Sequence, residues 1–307
     1  MTDDSTRLPG WFGTWPLLGP HDSPPPTVRV DVTVGAQSRR GNRAVNDDHY
    51  VVVRHGRDQE TILTSLPDDA LPTRFEESGY ALVVADGMGA AGELASRMAI
   101  STLMHLALYF GRWNIRVDEP IAEEVMDRAD RFYRSIDSTL VQASRGRTDG
   151  LETTLTAAFS AGNDLFFVHV GRSRAYMFRD QQLMQLTRDH NGSGEDSGRG
   201  MVVNMFTRDK AGRPALTPAL GRPGASRIDV ERCSLLDGDL VLLCTDGLTD
   251  VVDDGKIAQT LLSHITPDDQ CRALVDLAAS CGTSDDVTVL VAQFHIFDQP
   301  ALTTRPR

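Results

Sequence analysis

Cysteine is scarce in this chain. Among 307 residues only Cys233, Cys244, Cys271 and Cys281 occur, and no two form a Cys-x-x-Cys pair, which argues against a structural zinc site. Cys244 lies in an apolar run, where a thiol behaves as a small hydrophobe. The set reads as reduced thiols, with a Cys271–Cys281 bridge as the alternative. Positive charge is also short: 31 Lys and Arg stand against 43 Asp and Glu, for a net charge of −12. A nucleic-acid binder needs clustered cations, so no nucleic-acid partner is expected. A solvated acidic surface accounts for most of the excess and leaves room for a carboxylate cluster that holds metal. No apolar stretch is long enough to span a bilayer, and the opening Met-Thr-Asp-Asp lacks the basic start and apolar run of a secretory leader. A cytoplasmic protein without a membrane partner is the expectation.

Apolar residues make up 40% and charged residues 24%, ordinary globular usage. Residues 1–27 are rich in Gly and Pro and end in Ser23-Pro24-Pro25-Pro26, which predicts a flexible tail, although Trp11, Trp15 and Leu17 suit docking on the body. Residues 298–307 read as a short C-terminal tail. The stretch between, 28–297, shows neither linker nor repeat and is taken as one domain. Strand signals dominate it: the period-two run Val28–Val34, then β-branched or aromatic runs at 49–54, 80–85, 154–159, 165–170, 174–179, 182–186, 240–244 and 287–294. Short turns such as Ala161-Gly162-Asn163-Asp164 suit antiparallel hairpins. Helices are predicted from Gly92 toward Phe110, and through Ile121, Val125, Ala129, Phe132, Ile136 and Leu140, which share one face. Two more are predicted at 256–264 and 268–280. Stretches 55–78 and 190–216 read as long loops. Helices in sequential pairs and strands in hairpin runs do not fit regular βαβ alternation. The fold class is α+β: an αββα sandwich of two antiparallel sheets flanked by helix pairs.

Four acidic segments fall at strand edges: Asn46-Asp47-Asp48 before the 49–54 strand, Asp86-Gly87 after 80–85, Asp246-Gly247 after 240–244, and Asp285-Asp286 before 287–294. A carboxylate at the end of a buried strand must be hydrated, paired or coordinated, because desolvating it is costly. Hard cations such as Mg2+ and Mn2+ take oxygen ligands of this kind, and glycine after aspartate lets the backbone approach an ion closely. Singly, each Asp-Gly is a common turn dipeptide. Four such segments with Arg43 beside the first favour a metal site.

In order and wording these segments resemble the metal-dependent protein serine/threonine phosphatase family, type 2C, in its bacterial form. The motifs are Gly35–Asp48 with Arg43, Val84-Ala85-Asp86-Gly87-Met88-Gly89, Gly92-Glu93-Leu94-Ala95-Ser96, Thr153-Thr154-Leu155, Val170-Gly171-Arg172-Ser173-Arg174, Leu186-Thr187-Arg188-Asp189-His190, Ala219-Leu220-Gly221, Thr245-Asp246-Gly247-Leu248 and Ser284-Asp285-Asp286-Val287-Thr288. The resemblance implies that Asp48, Asp86, Asp246 and Asp285, with the Gly87 carbonyl, are ligands to two Mn2+ or Mg2+ ions. It implies that Asp47 acts from behind the ligands through water, and that Arg43 binds the substrate phosphate. Arg43, Asp48 and Asp86 are then the catalytic set. The activity implied is hydrolysis of phosphoserine and phosphothreonine by a metal-activated water, on phosphorylated proteins that are substrates of a serine/threonine kinase. The alternative is a catalytically weak homologue that binds phosphoproteins.

Two positions depart from the family pattern. Arg172 stands where the family has an aspartate of a third, weaker ion site; a guanidinium cannot ligate a cation, so Arg172 is expected to pair with a carboxylate such as Asp246 or Asp285. Met88 stands where many eukaryotic members have a histidine. His190, His49 and His169 are expected to be structural, and Glu93 to suit the dipole of its helix.

Overall fold

A computed structural model describes residues 28–66, 74–111, 117, 119–190, 216–217, 219–222 and 225–298. The tail expected at 1–27, most of the loop expected at 190–216 and, apart from Asp298 at the end of the last strand, the tail expected at 298–307 lie outside the described residues. In chain order the elements are β1 (Val28–Arg39), β2 (Asp48–Glu60), β3 (Arg74–Met88), α1 (Gly92–Phe110), α2 (Glu119–Ala143), β4 (Glu152–Thr153), β5 (Leu155–Ala161), β6 (Asp164–Val170), β7 (Arg174–Arg179), β8 (Gln182–Gln185), β9 (Leu216–Thr217), β10 (Ala225–Ser226), β11 (Asp229–Ser234), β12 (Leu240–Cys244), α3 (Asp246–Thr249), α4 (Asp254–Ser263), α5 (Pro267–Ser280) and β13 (Val287–Asp298).

One sheet has the order β1-β13-β12-β7-β8 and the other β11-β6-β5-β3-β2, with β4 added to β3. Both are antiparallel throughout. Alternation along the strands sends one set of side chains between the sheets: Val30, Leu82, Val84, Phe167, Met177, Val241, Leu243, Leu290 and Phe294 form that core. The opposite set meets helices. Val83, Ala157 and Val168 face Ala99, Leu103, Tyr133 and Ile136 of α1 and α2. Leu242, Val289 and Val291 face Ile257, Leu261, Leu274 and Ala278 of α4 and α5. Each large aliphatic side chain buried in these layers contributes about 1.5–3 kcal/mol. The αββα sandwich predicted above is the architecture present.

Local signals account for the helix ends. Thr266 caps α5 by accepting from Asp269 N, with Pro267 in the first turn. Asp253 caps α4 by accepting from Lys256 N. On α2 the fully buried aromatic is Tyr133 rather than Phe132, which is only partly buried; its hydroxyl donates to Val168 O at 3.1 Å, giving the polar tip a partner. The stretch 55–78 is not a simple loop. β2 and β3 stay in register out to the Glu60–Arg74 pair. Its residues carry no hydrophobic alternation in the sequence that would announce the pairing. All four cysteines are free thiols, with Cys244 and Cys271 buried, so the alternative Cys271–Cys281 bridge is absent. No described helix is long and apolar enough to cross a membrane.

Candidate metal centre and active site

Register creates the first half of the site. In the β2–β3 ladder Asp48 is the direct partner of Asp86, so two carboxylates stand side by side where both strands end. The second half comes from the other sheet. β12 ends at Cys244; Thr245 turns the chain, and Asp246 opens the short helix α3 rather than ending a strand. Asp285 precedes β13 on the neighbouring strand. The two sheets therefore bring Asp48, Asp86, Asp246 and Asp285 to one end of the sandwich, where they act on one another electrostatically.

Tight backbone packing holds these strand ends. A Cβ on Gly87 would lie 1.9 Å from Gly92 O, so only glycine lets the end of β3 pass the start of α1. Gly87 N donates to Asp47 O at 3.1 Å, and Ser96 Oγ of α1 donates to the same carbonyl at 2.6 Å. Thr153 Oγ1 donates to Asp86 O, and Asp86 N donates to Thr154 Oγ1. Asp48 Oδ2 accepts from Thr245 Oγ1 at 2.8 Å, which ties the two sheets together at the site.

The carboxylates are crowded and buried. Burial, then the neighbouring Asp286 and Asp246 charges, push Asp48 up to about 7, against the hydroxyls of Thr245 and Thr288. Asp86 is raised well above the carboxylate range by burial and by Asp48, Asp246 and Asp285. Asp246 is raised by burial, with Arg172 opposing. Contact between Asp86 and Asp246 adds to the rise at Asp86 and works against it at Asp246. Among the described residues no three of these side chains converge in ligand geometry on one point. They nonetheless fit a hard divalent cation: the donors are oxygens, the excess charge is negative, and Asp48 Oδ1 is buried without a hydrogen-bond partner.

Two arginines border the cluster. Arg43 donates to Asp47 Oδ2 at 2.5 Å and to Gly87 O at 3.4 Å, lies 3.7 Å from Asp285, and keeps 40% of its side chain exposed. The bond to Asp47 is the chief reason its pKa is raised. Asp47 is therefore engaged directly by Arg43. Arg172, in the β6–β7 turn, pairs with Asp246 at 3.1 Å and with Asp250. The expected pairing with Asp246 is present, and the second partner is Asp250 rather than Asp285.

Asp286 is the functional residue that sequence reasoning passed over. It is buried and accepts from Gly41 N and from Asp47 N, both at 2.7 Å. Asn42 N donates to Ser284 O, and a Cβ on Gly41 would lie 2.4 Å from the same oxygen. The loop that carries Arg43 and Asp47 is thus stapled to the strand start that carries Asp285. The motif Asp285-Asp286 held the signal, since two adjacent carboxylates at a strand start point to opposite sides.

The histidines lie elsewhere. His49 Nδ1 bonds Ser96 Oγ at 3.0 Å. His190 Nε2 donates to Asp229 Oδ2 at 3.0 Å while its Nδ1 accepts from Gly171 N. His169 bonds Thr156 Oγ1 and Arg188 O, and burial pushes it down to about 3. All three hold structure together.

The family model for protein phosphatase 2C matches residues 64–277. Serine/threonine protein phosphatase PstP of Mycobacterium tuberculosis is 34% identical over 232 residues, covering 73% of this chain and 43% of that protein. The chain thus spans under half the length of PstP. Serine/threonine phosphatase stp of Listeria monocytogenes is 30% identical over 216 residues, covering 69% of this chain and 83% of its own. Among solved structures, the catalytic domain of PstP in complex with two manganese ions superposes with a TM-score of 0.59 at 26% identity, covering 87% of this chain and 99% of that one. The S. agalactiae serine/threonine phosphatase shares the fold, with a TM-score of 0.62 at 21% identity over 85% of this chain and 99% of that one. A conserved fold, the ordered motifs and these matches agree: the chain belongs to the protein phosphatase 2C family.

Proposed function

We propose that this chain hydrolyses phosphoserine and phosphothreonine on proteins, using two divalent cations, Mn2+ or Mg2+, held by Asp48, Asp86, the Gly87 carbonyl, Asp246 and Asp285. The observation that carries this reading is the buried acidic cluster with Asp48 Oδ1 left without a partner. Uncompensated buried carboxylates are costly unless a cation joins them. The names of the relatives support the reaction, and the two manganese ions of the PstP structure support the choice of cation. Bound there, such ions supply Lewis-acid polarisation of the phosphoryl group and acidify a water.

The chain's own residues do the rest. Arg43 reaches the exposed edge of the cluster with a fork that suits two phosphate oxygens, and Asp47 fixes its orientation. Asp286 holds the Arg43 loop at its distance from Asp285. Thr245 fixes the rotamer of Asp48. Substrates of this chemistry are products of serine/threonine kinases, and free thiols at Cys233, Cys244, Cys271 and Cys281 support a reducing compartment such as the cytoplasm.

The test is phosphate release from a phosphothreonine peptide and from p-nitrophenyl phosphate with Mn2+, with Mg2+ and in EDTA. Turnover should require metal, vanish in EDTA and return on adding Mn2+. Undiminished turnover in EDTA overturns the reading. A phosphoprotein-binding module would retain the peptide without releasing phosphate.

A further inference from the structure

Arg172 is the one residue that reaches the acidic cluster from the β6–β7 turn. The turn begins at Gly171, whose φ of +117° favours glycine. The turn is anchored: His190 N donates to Gly171 O at 2.9 Å, and Ser173 Oγ bonds Thr154 Oγ1 at 2.7 Å, beside the strand end that carries Asp86. From this base the guanidinium forks between Asp246, at the start of α3, and Asp250, which caps its end. Asp246 is buried, whereas Arg172 keeps 46% of its side chain exposed, so the arginine approaches from the solvent side.

We propose that Arg172 is a positioning residue that acts as a resident cation: it holds Asp246 when metal is absent and competes with divalent metal for that carboxylate. This rests on the reading of Asp246 as a metal ligand. Two observations carry it. The ion pair is made to an oxygen of the same carboxylate that must turn to an ion, at 3.1 Å. The second fork, to the half-exposed Asp250, gives the guanidinium a partner apart from Asp246. A fixed positive charge there repels an incoming dication and offers Asp246 an alternative partner, and both effects weaken metal binding. The guanidinium also keeps Asp246 ordered and partly neutralised in the metal-free protein.

The experiment is calorimetric titration of the full chain with Mn2+, without substrate, together with metal-free thermal denaturation followed by circular dichroism. In Arg172→Gln, Mn2+ should bind about tenfold more tightly while the metal-free protein melts lower. Arg172→Lys keeps the charge but not the fork and should stay within about threefold of the parent in Mn2+ affinity. Unchanged or weaker Mn2+ binding in Arg172→Gln, in a variant that still folds by circular dichroism, overturns the proposal. Asp246→Asn separates the two layers of the argument. If it leaves Mn2+ binding intact, the ligand reading itself fails. If it abolishes binding while Arg172→Gln changes nothing, only the role of Arg172 fails.

Discussion

Replacing Asp48 by asparagine should strengthen the metal-free fold while ending catalysis. Asp48 is buried, its Oδ1 has no partner, and its Oδ2 takes one hydrogen bond, from Thr245. Asparagine keeps an acceptor for Thr245 and puts a donor toward the neighbouring carboxylates. In the metal-free parent, burial and the Asp286 and Asp246 charges raise the Asp48 carboxyl from 3.8 to about 7. A group whose folded pKa is raised contributes stability that is fully present below its unfolded value and is lost as pH rises through the folded one. At about 1.4 kcal/mol per pH unit, the full loss above pH 7 is on the order of 4 kcal/mol. Asp86 and Asp246 share the same repulsion, so the portion relieved at one site is roughly 2–4 kcal/mol. For a domain of this size that raises Tm by about 5–10 °C at pH 8. At pH 5 the parent's Asp48 is largely protonated, and the advantage should shrink by roughly 2–3 kcal/mol. The assay is urea and thermal denaturation in EDTA at pH 5 and pH 8, with phosphatase activity measured in Mn2+. A variant no more stable than the parent at pH 8, or equally more stable at both pH values, refutes the reasoning.

Other expectations follow from the same geometry. Asp86→Asn and Asp246→Asn should each remove turnover with far-UV circular dichroism unchanged; turnover within a few-fold of the parent in both would show that neither is a ligand. Arg43→Ala should raise KM for a phosphothreonine peptide about tenfold or more, the value of a charge-assisted bond, with Mn2+ affinity moving no more than about threefold. A large shift in metal affinity with KM constant would place Arg43 on the metal instead. Asp286→Ala strands the buried Asp47 amide and the partly buried Gly41 amide and should destabilise the protein by about 2–4 kcal/mol, read from the urea midpoint. A loss under about 0.5 kcal/mol would mean the staple is not what holds the loop.

The fold was legible wherever burial imposed a period. α1 is found over Gly92–Phe110, the bounds expected, because one face of it packs on β3 and α2. β12 and β13 read as apolar runs because both faces of their sheet are covered, by the other sheet and by α4 and α5. Several elements escaped, the two-residue strands β4, β9 and β10 among them. The outer halves of β2 and β3 carry polar residues, so nothing in their hydropathy announces pairing. β11, with the sequence Asp-Val-Glu-Arg-Cys-Ser, lies at a sheet edge and alternates weakly. α3 is four residues long, too short for any periodicity.

The site was legible in its residue types and less so in its pairings. Asp48, Asp86, Asp246 and Asp285 could be picked out because a charge at the end of an apolar strand needs a reason, and the structure gathers them at one end of the sandwich. The partners are set by geometry between segments far apart in sequence. Asp286 staples Gly41 and Asp47 from across the chain, with separations of 245 and 239 residues. Thr245 reaches Asp48 over 197. A single sequence carries no trace of such pairs, since an aspartate that accepts two backbone amides and one that ligates a cation are written with the same letter. What distinguishes them is whether the lone pairs are already used. Asp286 has both oxygens filled by backbone donors, whereas the half-exposed Asp285 carboxylate has, among the described residues, Asp286 N and, at 3.7 Å, the edge of Arg43 as neighbours, which suits the ligand role proposed for it.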